Sequence, residues 1–282
     1  MRPSPSEPDD SLPEHGAPFV KRRADRLDSE STEATLLRRL AGPGIVPLES
    51  GGSDSDDSDL RLTRAAGSVA DVLAERGPLP ETEARSVGVA VAGALERIHE
   101  VGLVHADIKP ANLLLTGDHG LWVADFDAAR AADGRPIRRA TPGRIRTGAV
   151  AEPGTDVVAL AVTLAEITTG VAPDPNQPWR SRELTDLGCP NELARDLSRV
   201  LGNEPTPSAS DFGATLARRD HRRLPAPAHH IRAADPDRTL DFDPVVAPPA
   251  VRPAPPSIDP SGISLKLLAV TVVVVLVVLV VL

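Results

Sequence analysis

Cysteine and aromatic residues are scarce in this sequence. Its 282 residues include one cysteine, Cys189, two tryptophans, four phenylalanines and no tyrosine. A lone cysteine excludes an intramolecular disulfide and any metal site made of several thiolates, and it is typical of proteins from a reducing cytosol. So few aromatic side chains cannot form a platform on which the bases of a single nucleic-acid strand stack.

Blocks of positive charge are also missing. The chain has 40 acidic and 31 basic residues and a net charge of −9. A nucleic-acid binder needs a basic surface, so we expect no nucleic-acid partner. Hydrophobic residues make up 41% and charged residues 25% of the sequence, which is ordinary for a globular protein with a buried core.

Lysine is rare as well. Only Lys21, Lys109 and Lys266 are lysines among the 31 basic residues, and all the others are arginines. A compact ammonium suits contacts with phosphate oxygens, whereas a guanidinium suits planar, bidentate contacts. In so arginine-rich a chain, each lysine indicates a specific requirement. The alternative is that these lysines are ordinary surface charges.

The composition divides the chain into four segments. Residues 1–16 are rich in proline, serine and acidic residues and lack the apolar stretch of a signal peptide. Residues 17–220 have the composition of a globular domain. Proline then dominates 221–262, which predicts an extended, semi-stiff linker, and 263–282 is strongly apolar.

The last segment, 263–282, predicts one membrane-spanning helix. No charged residue interrupts 267–282, and twenty helical residues reach roughly 30 Å, about the thickness of the hydrocarbon core. A buried strand is the alternative, because valine favours sheets. Lys266 and Arg252 lie on the N-terminal side of the run, which favours a cytosolic globular part. We therefore expect a single-pass protein of the cell membrane that contacts the lipid bilayer through 263–282.

Hydrophobic periodicity predicts the main elements of the globular part. Apolar residues at spacings of three or four, from Val87 to Ile98, predict a helix over 81–100. A stretch that is apolar almost all round, 157–167, predicts a buried helix capped by Gly170. Short apolar runs between turns predict three strands, at 102–105, 113–115 and 121–124. The expected order is a few short strands followed mostly by helices.

The most informative stretch is H-A-D-I-K-P-A-N at 105–112, followed thirteen residues after its end by D-F-D. On one tight loop, the Asp107 carboxylate can accept a proton from a hydroxyl, and the Lys109 ammonium can contact a phosphate. The Asn112 amide oxygen and the Asp125 carboxylate are hard oxygen ligands of the kind that Mg²⁺ prefers. This set suits phosphoryl transfer, in which catalysis is mainly positioning and charge neutralisation.

With these spaced motifs, the chain resembles the eukaryotic-like serine/threonine protein kinases of bacteria. The resemblance implies an α+β, two-lobed protein-kinase-like fold, with an incomplete N-lobe at 17–66, a C-lobe at 67–220 and a disordered or partial start at 1–16. It implies ATP and Mg²⁺ as cofactors. By it, Asp107 is the catalytic base and Lys109 contacts the γ-phosphate. The Mg²⁺ ligands that it implies are Asn112 and Asp125.

Other positions match the same family. Lys21 stands where the family's third strand carries a nucleotide-binding lysine, and Glu33 stands where its partner glutamate lies on the next helix. Both residues are therefore implied in cofactor binding, and two of the three lysines stand where the family places an ammonium at phosphate oxygens. Residues 67–73 look like the hinge and the helix after it. The positions that form the family's hydrophobic spine and its anchor correspond to Leu37, His105, Phe126 and Asp156 in this sequence.

Several positions depart from the family pattern. No G-x-G-x-x-G precedes Lys21, which predicts weaker nucleotide binding. Phe19 stands where a small residue lies under the adenine, and we expect its ring to crowd the base. Asp127 replaces a glycine, which stiffens the turn and adds a charge near the metal. Ala106 replaces the arginine that reads a phosphorylated activation loop, so we expect that switch to be absent.

The segment after Asp127 also departs from the pattern. It contains no A-P-E before Asp156, and Thr206 stands where the arginine partner of that glutamate would be. The absence of both partners of a buried ion pair is tolerable, whereas the absence of one is costly. We expect a weakened peptide-docking groove. Thr141 and Thr147 are either phosphorylation sites or ordinary loop threonines.

These observations predict a membrane-anchored serine/threonine protein kinase that transfers the γ-phosphoryl group of ATP to serine or threonine of cytosolic proteins. The alternative is a weak or inactive pseudokinase that serves as a membrane-tethered scaffold. A small-molecule phosphotransferase shares a related loop, but the lysine of H-x-D-x-K-P argues for the protein-kinase branch.

Overall fold

The structure, a computed structural model, describes residues 33–50, 60–202, 204–221 and 224–225 in full and 19–21 by their backbone. The chain beyond 225, which includes most of the predicted linker and the predicted membrane helix at 263–282, lies outside the described residues. Within the described part of the chain, no helix combines the length and apolar character needed to cross a membrane.

Three short strands form an antiparallel sheet in the N-terminal part. Their spatial order is β1–β3–β2, and they are β1 (Phe19–Lys21), β2 (Leu48–Ser50) and β3 (Leu60–Leu62). In the β1–β3 pair, Lys21 lies opposite Leu60. The helix α1 (Glu33–Leu40) begins at Glu33 and buries its apolar side chains, among them Leu37.

A two-residue strand, β4 (Gly67–Ser68), leads directly into α2 (Val69–Arg76), as the hinge-like sequence predicted. Ser68 caps this helix: its hydroxyl accepts a hydrogen bond from the Asp71 N–H at 3.1 Å, and the Asp71 carboxylate accepts one from the Ser68 N–H at 2.8 Å. The reciprocal cap satisfies two backbone donors at the helix start.

The long helix α3 (Glu81–Glu100) has the bounds that the periodicity predicted. Val87, Val91, Leu95 and Ile98 are fully buried, because their spacing puts them on the face that packs against the C-terminal helices.

Polar contacts also tie α3 to the end of the domain. Arg85 is fully buried and pairs with Glu81 at 2.8 Å and Asp196 at 2.9 Å. The Ser86 hydroxyl donates to the carbonyl of His221 at 2.5 Å. The contacts with Asp196 and His221 connect one turn of α3 to two separate later parts of the chain.

Four further strands follow the helices: β5 (Leu103–Val104), β6 (Leu113–Leu115), β7 (Leu121–Val123) and β8 (Arg130–Ala131). The first three lie where the sequence predicted strands. β4, β6 and β7 form one antiparallel sheet, and β5 pairs with β8. Single 3₁₀ turns at 110–112 and 126–128 flank the sheet and carry parts of the predicted site.

The C-terminal part is helical and consists of α4 (Pro153–Thr169), α5 (Ser181–Asp186), α6 (Asn191–Leu201) and α7 (Ala209–Ala217). As predicted, 157–167 is buried almost throughout and Gly170 caps the helix, with a φ of +78° and its N–H donating to the Glu166 carbonyl at 2.7 Å. The predicted α+β class is confirmed, and the C-terminal part is helical as expected. The strands are not confined to the start of the chain, however, because β5 to β8 follow α3.

Candidate active site

A buried carboxylate on α4 holds the loop that follows β5. Asp156 is fully buried, and its oxygens accept hydrogen bonds from the His105 and Ala106 N–H groups, both at 2.8 Å. His99 Nε2 lies 2.9 Å from the same carboxylate. Ala106 has a φ of +66°, a left-handed conformation that is unfavourable for a residue with a Cβ atom. The two backbone hydrogen bonds to Asp156 therefore hold a strained turn in place.

The Asp107 carboxylate lies next along this loop and is surrounded by donors. Lys109 Nζ is 2.8 Å from Oδ2, the Thr141 N–H donates to Oδ1 at 3.1 Å, and Asn112 Nδ2 approaches Oδ2 at 3.3 Å. Burial alone would raise the pKa of this carboxyl, but the hydrogen bonds from Lys109 and Thr141 and the Lys109 charge together hold the pKa below its ordinary value. Asp107 is therefore ionised at neutral pH.

Thr141 belongs to the same network. Its hydroxyl accepts a hydrogen bond from Lys109 Nζ at 2.9 Å, so it contacts the lysine with its side chain and the aspartate with its backbone. The sequence left the role of Thr141 open between a phosphorylation site and a loop residue. One signal was available: between Asp127 and Thr147, Thr141 is the only residue with a hydroxyl group.

A second set of contacts links α1 to the D-F-D turn. The Phe126 N–H donates to Glu33 Oε1 at 3.1 Å, across 93 residues of sequence. The Phe126 ring meets the His105 ring edge-on, with their centroids 4.8 Å apart. His105 Nε2 also lies 3.0 Å from the Ala124 carbonyl. The structure thus brings together His105 and Phe126, two of the residues that the resemblance assigned to the hydrophobic spine.

Asn112 has the features of a metal ligand. Its side chain is fully buried and Nδ2 donates to the Asp107 carbonyl at 2.9 Å, while Oδ1 has no hydrogen-bond partner among the described residues. A buried oxygen without a donor fits a cation. Pairing of β6 with β7 places Asn112 beside Ala124, whose N–H donates to the Asn112 carbonyl at 3.0 Å, so Asp125 follows immediately.

Carboxylates complete an all-oxygen set near this amide. Glu33, Asp125 and Asp127 each offer an oxygen, and the three oxygens lie within 4.8 Å of one another. Oxygen ligands of this kind suit Mg²⁺, so the donors present fit the metal that the sequence implied. Asn112 and Asp125 are the residues that would hold it.

Two of the singled-out positions are described only in part. The backbones of Lys21 and Phe19 lie on β1, but their side chains lie outside the described atoms. The pairing of Lys21 with Glu33 and the crowding of adenine by Phe19 therefore stay predictions.

Arginines anchor the segment between the D-F-D turn and α4. Arg144 pairs with Glu166 of α4, with Nη2 3.0 Å from Oε1. Arg146 donates to the carbonyls of Pro175 and Gly202, both at 3.2 Å. The sequence predicted that the buried ion pair between the A-P-E glutamate and its arginine partner is absent. It did not reveal that Arg144 and Arg146 attach this segment to the helical part of the domain.

An α+β fold with an aspartate, a lysine and oxygen-bearing side chains on the loops between its strands is typical of a protein kinase domain. The family model described as "Protein kinase domain" matches residues 19–226. The chain belongs to this family, as the sequence predicted, and membership implies the use of ATP, a divalent metal and protein substrates in general.

The curated relatives are protein kinases, and the bacterial ones are named as serine/threonine-protein kinases. A probable serine/threonine-protein kinase of Clostridium perfringens is 32% identical over 152 residues, which are 50% of this chain and 22% of that protein. Serine/threonine-protein kinase PknK of Mycobacterium tuberculosis is 32% identical over 219 residues, 68% of this chain and 20% of PknK. The 3-phosphoinositide-dependent protein kinase 1 of Arabidopsis thaliana is 32% identical over 216 residues, 66% of this chain and 44% of that protein. The chain spans less than half the length of each.

Proposed function

We propose that the chain transfers the γ-phosphoryl group of ATP to serine or threonine hydroxyls of cytosolic proteins. The observation that carries this proposal is the network of Asp107, Lys109 and Thr141. The network lies beside Oδ1 of Asn112, which is buried and has no hydrogen-bond partner among the described residues. It combines a proton acceptor, a phosphate-binding cation and a metal ligand within one loop and the segment that covers it.

The hydrogen bonds of Asp107 leave room for a substrate. A carboxylate has about four acceptor sites, and the described contacts use two on Oδ2 and one on Oδ1. A hydroxyl can therefore donate to Oδ1. As its oxygen bonds to the γ-phosphorus, the bond to the β-phosphate oxygen breaks, ADP leaves, and Asp107 takes the hydroxyl proton.

Lys109 has two tasks in this scheme. Its ammonium pairs with Asp107 and, being within reach of the same hydroxyl position, neutralises charge on the group in transfer. Thr141 orients both groups because it contacts each of them. A divalent cation held by Asn112 and Asp125 would neutralise the charge of the phosphate oxygens.

A phosphotransfer assay with the full chain, ATP, Mg²⁺ and a mixture of serine- and threonine-containing proteins tests the proposal. Asp107→Asn removes the proton acceptor and should lower the rate by about 10² or more. Asp186→Asn changes an exposed aspartate at the end of α5 and should leave the rate unchanged. Equal rates for the wild type and Asp107→Asn would favour the alternative, a pseudokinase that acts as a scaffold.

We also propose that 263–282 anchors the chain in the cell membrane as a single pass, with 221–262 as a juxtamembrane linker and 17–220 as a cytosolic kinase-like domain. The uncharged run at 267–282 supports this arrangement. Alkaline extraction of membranes should retain the full chain and release a version ending at 262. Release of both would rule out the anchor.

A further inference from the structure

The segment between the D-F-D turn and α4 concentrates positive charge. Residues 134–151 contain five arginines and no acidic residue, although the whole chain has a net charge of −9. Two of the five, Arg144 and Arg146, attach the segment to the helical part, and a third pairs with the aspartate just before the segment. The other two, Arg138 and Arg139, are exposed and make no hydrogen bond or ion pair with any described residue. We call this pair the arginine surface.

Contacts on both sides fix the backbone that carries the arginine surface. The Ile137 N–H donates to the Ala149 carbonyl at 3.0 Å, so the two ends of the segment pair with each other. The Thr141 N–H donates to Oδ1 of Asp107 at 3.1 Å. The two exposed arginines lie between these contacts, two and three residues before Thr141, which corresponds to roughly 7 to 10 Å of extended chain. The arginine surface therefore lies beside the position at which a substrate hydroxyl meets Asp107.

We propose that the arginine surface binds carboxylates of the protein substrate that lie two or three residues from the serine or threonine that accepts the phosphate. This role rests on the proposed function, because it places the acceptor hydroxyl at Oδ1 of Asp107. Two or three residues of an extended substrate also span roughly 7 to 10 Å, so its side chains reach Arg138 and Arg139. A guanidinium binds a carboxylate through two parallel hydrogen bonds, which makes arginine suitable for this contact.

The charge of the arginine surface favours an acidic substrate, and its position favours a protein over another polyanion. Two exposed guanidinium groups repel a basic peptide and attract an acidic one. A nucleic acid or an anionic lipid surface is attracted by net charge alone, whereas a protein docked by its acceptor hydroxyl presents each carboxylate at a fixed distance from Asp107. Exposed ion pairs are individually weak, so we expect a preference for acidic substrates and not an absolute requirement.

Two peptides of identical composition test this preference in a phosphotransfer assay with the full chain, ATP and Mg²⁺. Both contain a central serine and the same glutamates. In the near-acid peptide the glutamates stand two and three residues to either side of the serine. In the far-acid peptide they stand at the two ends, about eight residues away and beyond the screening length at physiological salt. We expect kcat/KM to be about fivefold to tenfold higher for the near-acid peptide, whereas attraction by net charge alone predicts equal values.

Variants of the arginine surface identify the residues responsible. Arg138→Gln combined with Arg139→Gln removes both guanidinium groups and should lower the ratio of the two kcat/KM values to about one. Arg138→Lys combined with Arg139→Lys keeps the charge and should keep part of the preference. Arg182→Gln is the matched control, since Arg182 is exposed on α5 and makes no hydrogen bond or ion pair with any described residue. It should leave the ratio at the wild-type value.

Two results would overturn the proposal directly. One is a ratio near one for the wild type, and the other is a preference that survives in the double glutamine variant. If the ratio is near one and binding of the full chain to phosphatidylserine vesicles requires both arginines, the arginine surface belongs to a membrane contact instead.

A binding measurement separates this proposal from the proposed function. Fluorescence anisotropy compares a labelled near-acid peptide, with alanine in place of the serine, with a version in which glutamine replaces the glutamates. If the full chain prefers the acidic peptide but transfers no phosphate, the arginine surface is supported and the phosphotransfer is not. If it phosphorylates the near-acid and far-acid peptides equally, the phosphotransfer is supported and the arginine surface is wrong. Equal affinities in the anisotropy measurement would also overturn the arginine surface.

Discussion

The two sides of the site are built differently. On the proton-transfer side, the buried Asp156 of α4 holds the loop, and Asp107, Lys109 and Thr141 contact one another directly. On the metal side, an acidic residue from α1 and two from the D-F-D turn face one another, and the Phe126 N–H reaches Glu33. On the first side, Lys109 and the Thr141 N–H contact the carboxylate, whereas the second side gathers three carboxylates within 4.8 Å of one another. The comparison indicates that the contacts of the proton-transfer side are preformed, whereas the metal side gathers oxygen atoms of the kind that suit a cation.

The largest expected effect follows from removing the anchor of the preformed side. Asp156→Ala leaves the buried N–H groups of His105 and Ala106 without acceptors, and we expect a loss of about 3 kcal/mol or more in the free energy of unfolding. Urea unfolding followed by the fluorescence of Trp122 and Trp179 measures it. Asp186→Asn is the control and should change stability by no more than about 0.5 kcal/mol. A loss below about 1 kcal/mol for Asp156→Ala would show that the loop does not depend on this carboxylate.

The next effect concerns the threonine that contacts both Asp107 and Lys109. Thr141→Ala removes the hydroxyl that contacts Lys109, and we expect a fall of about tenfold in kcat, the equivalent of one charge-assisted hydrogen bond. Thr141→Ser should retain most of the rate because it keeps the hydroxyl. Thr147→Ala is the matched control, since only the Thr147 backbone makes a described contact, with Asn176. If Thr147→Ala were as damaging as Thr141→Ala, the contact with Lys109 would not explain the loss.

A smaller shift is expected in the titration of Asp107. Its lowered pKa means that the carboxylate stabilises the fold above the ordinary aspartate pKa of 3.8, and that this contribution is lost as the pH falls through the lower folded-state value. Lys109→Met removes the hydrogen bond and the charge of the lysine while burial remains, so the pKa of Asp107 should rise and the contribution of its carboxylate to stability should shrink. A ¹³C NMR titration of the carboxyl carbon, assigned by comparison with Asp107→Asn, measures this. Arg138→Met, which removes an exposed charge from the same segment, should leave the titration in place.

The smallest effect concerns the ion pair that attaches the segment between the D-F-D turn and α4 to α4 itself. Arg144 and Glu166 are partly buried, with side-chain exposures of 13% and 18%. Arg144→Met should cost about 1 kcal/mol of stability, and adding Glu166→Met should recover part of it, because an unpaired buried charge is worse than none. Thermal unfolding of both variants measures the difference. A double variant less stable than the single one would contradict this account.

The sequence predicted well where a pattern is local. The bounds of α3 follow from the spacing of apolar residues, and Asp107, Lys109 and Asn112 fall within eight residues of one another. The α4 helix and its glycine cap were also predictable from the sequence, because a helix that is buried on all sides consists almost entirely of apolar residues.

Contacts between distant segments were not predictable in the same way. Thr141 meets Asp107 across 34 residues, and Arg144 meets Glu166 across 22, in a segment that has no periodic pattern. The left-handed conformation of Ala106 was also hidden, because it depends on Asp156, 50 residues away, rather than on the alanine itself. Contacts that form only when distant segments fold together cannot be predicted from residues that are adjacent in the sequence.

The hydrogen bond from Ser86 to His221 has a mechanical consequence. It lies one residue from the buried Arg85, which pairs with Asp196 of α6 and donates to the carbonyl of Leu216 at the end of α7. A pull on the chain at His221 would therefore load the second turn of α3 as well as α7. Because α3 is followed by β5 and the loop of His105, that load would reach the loop that carries Asp107.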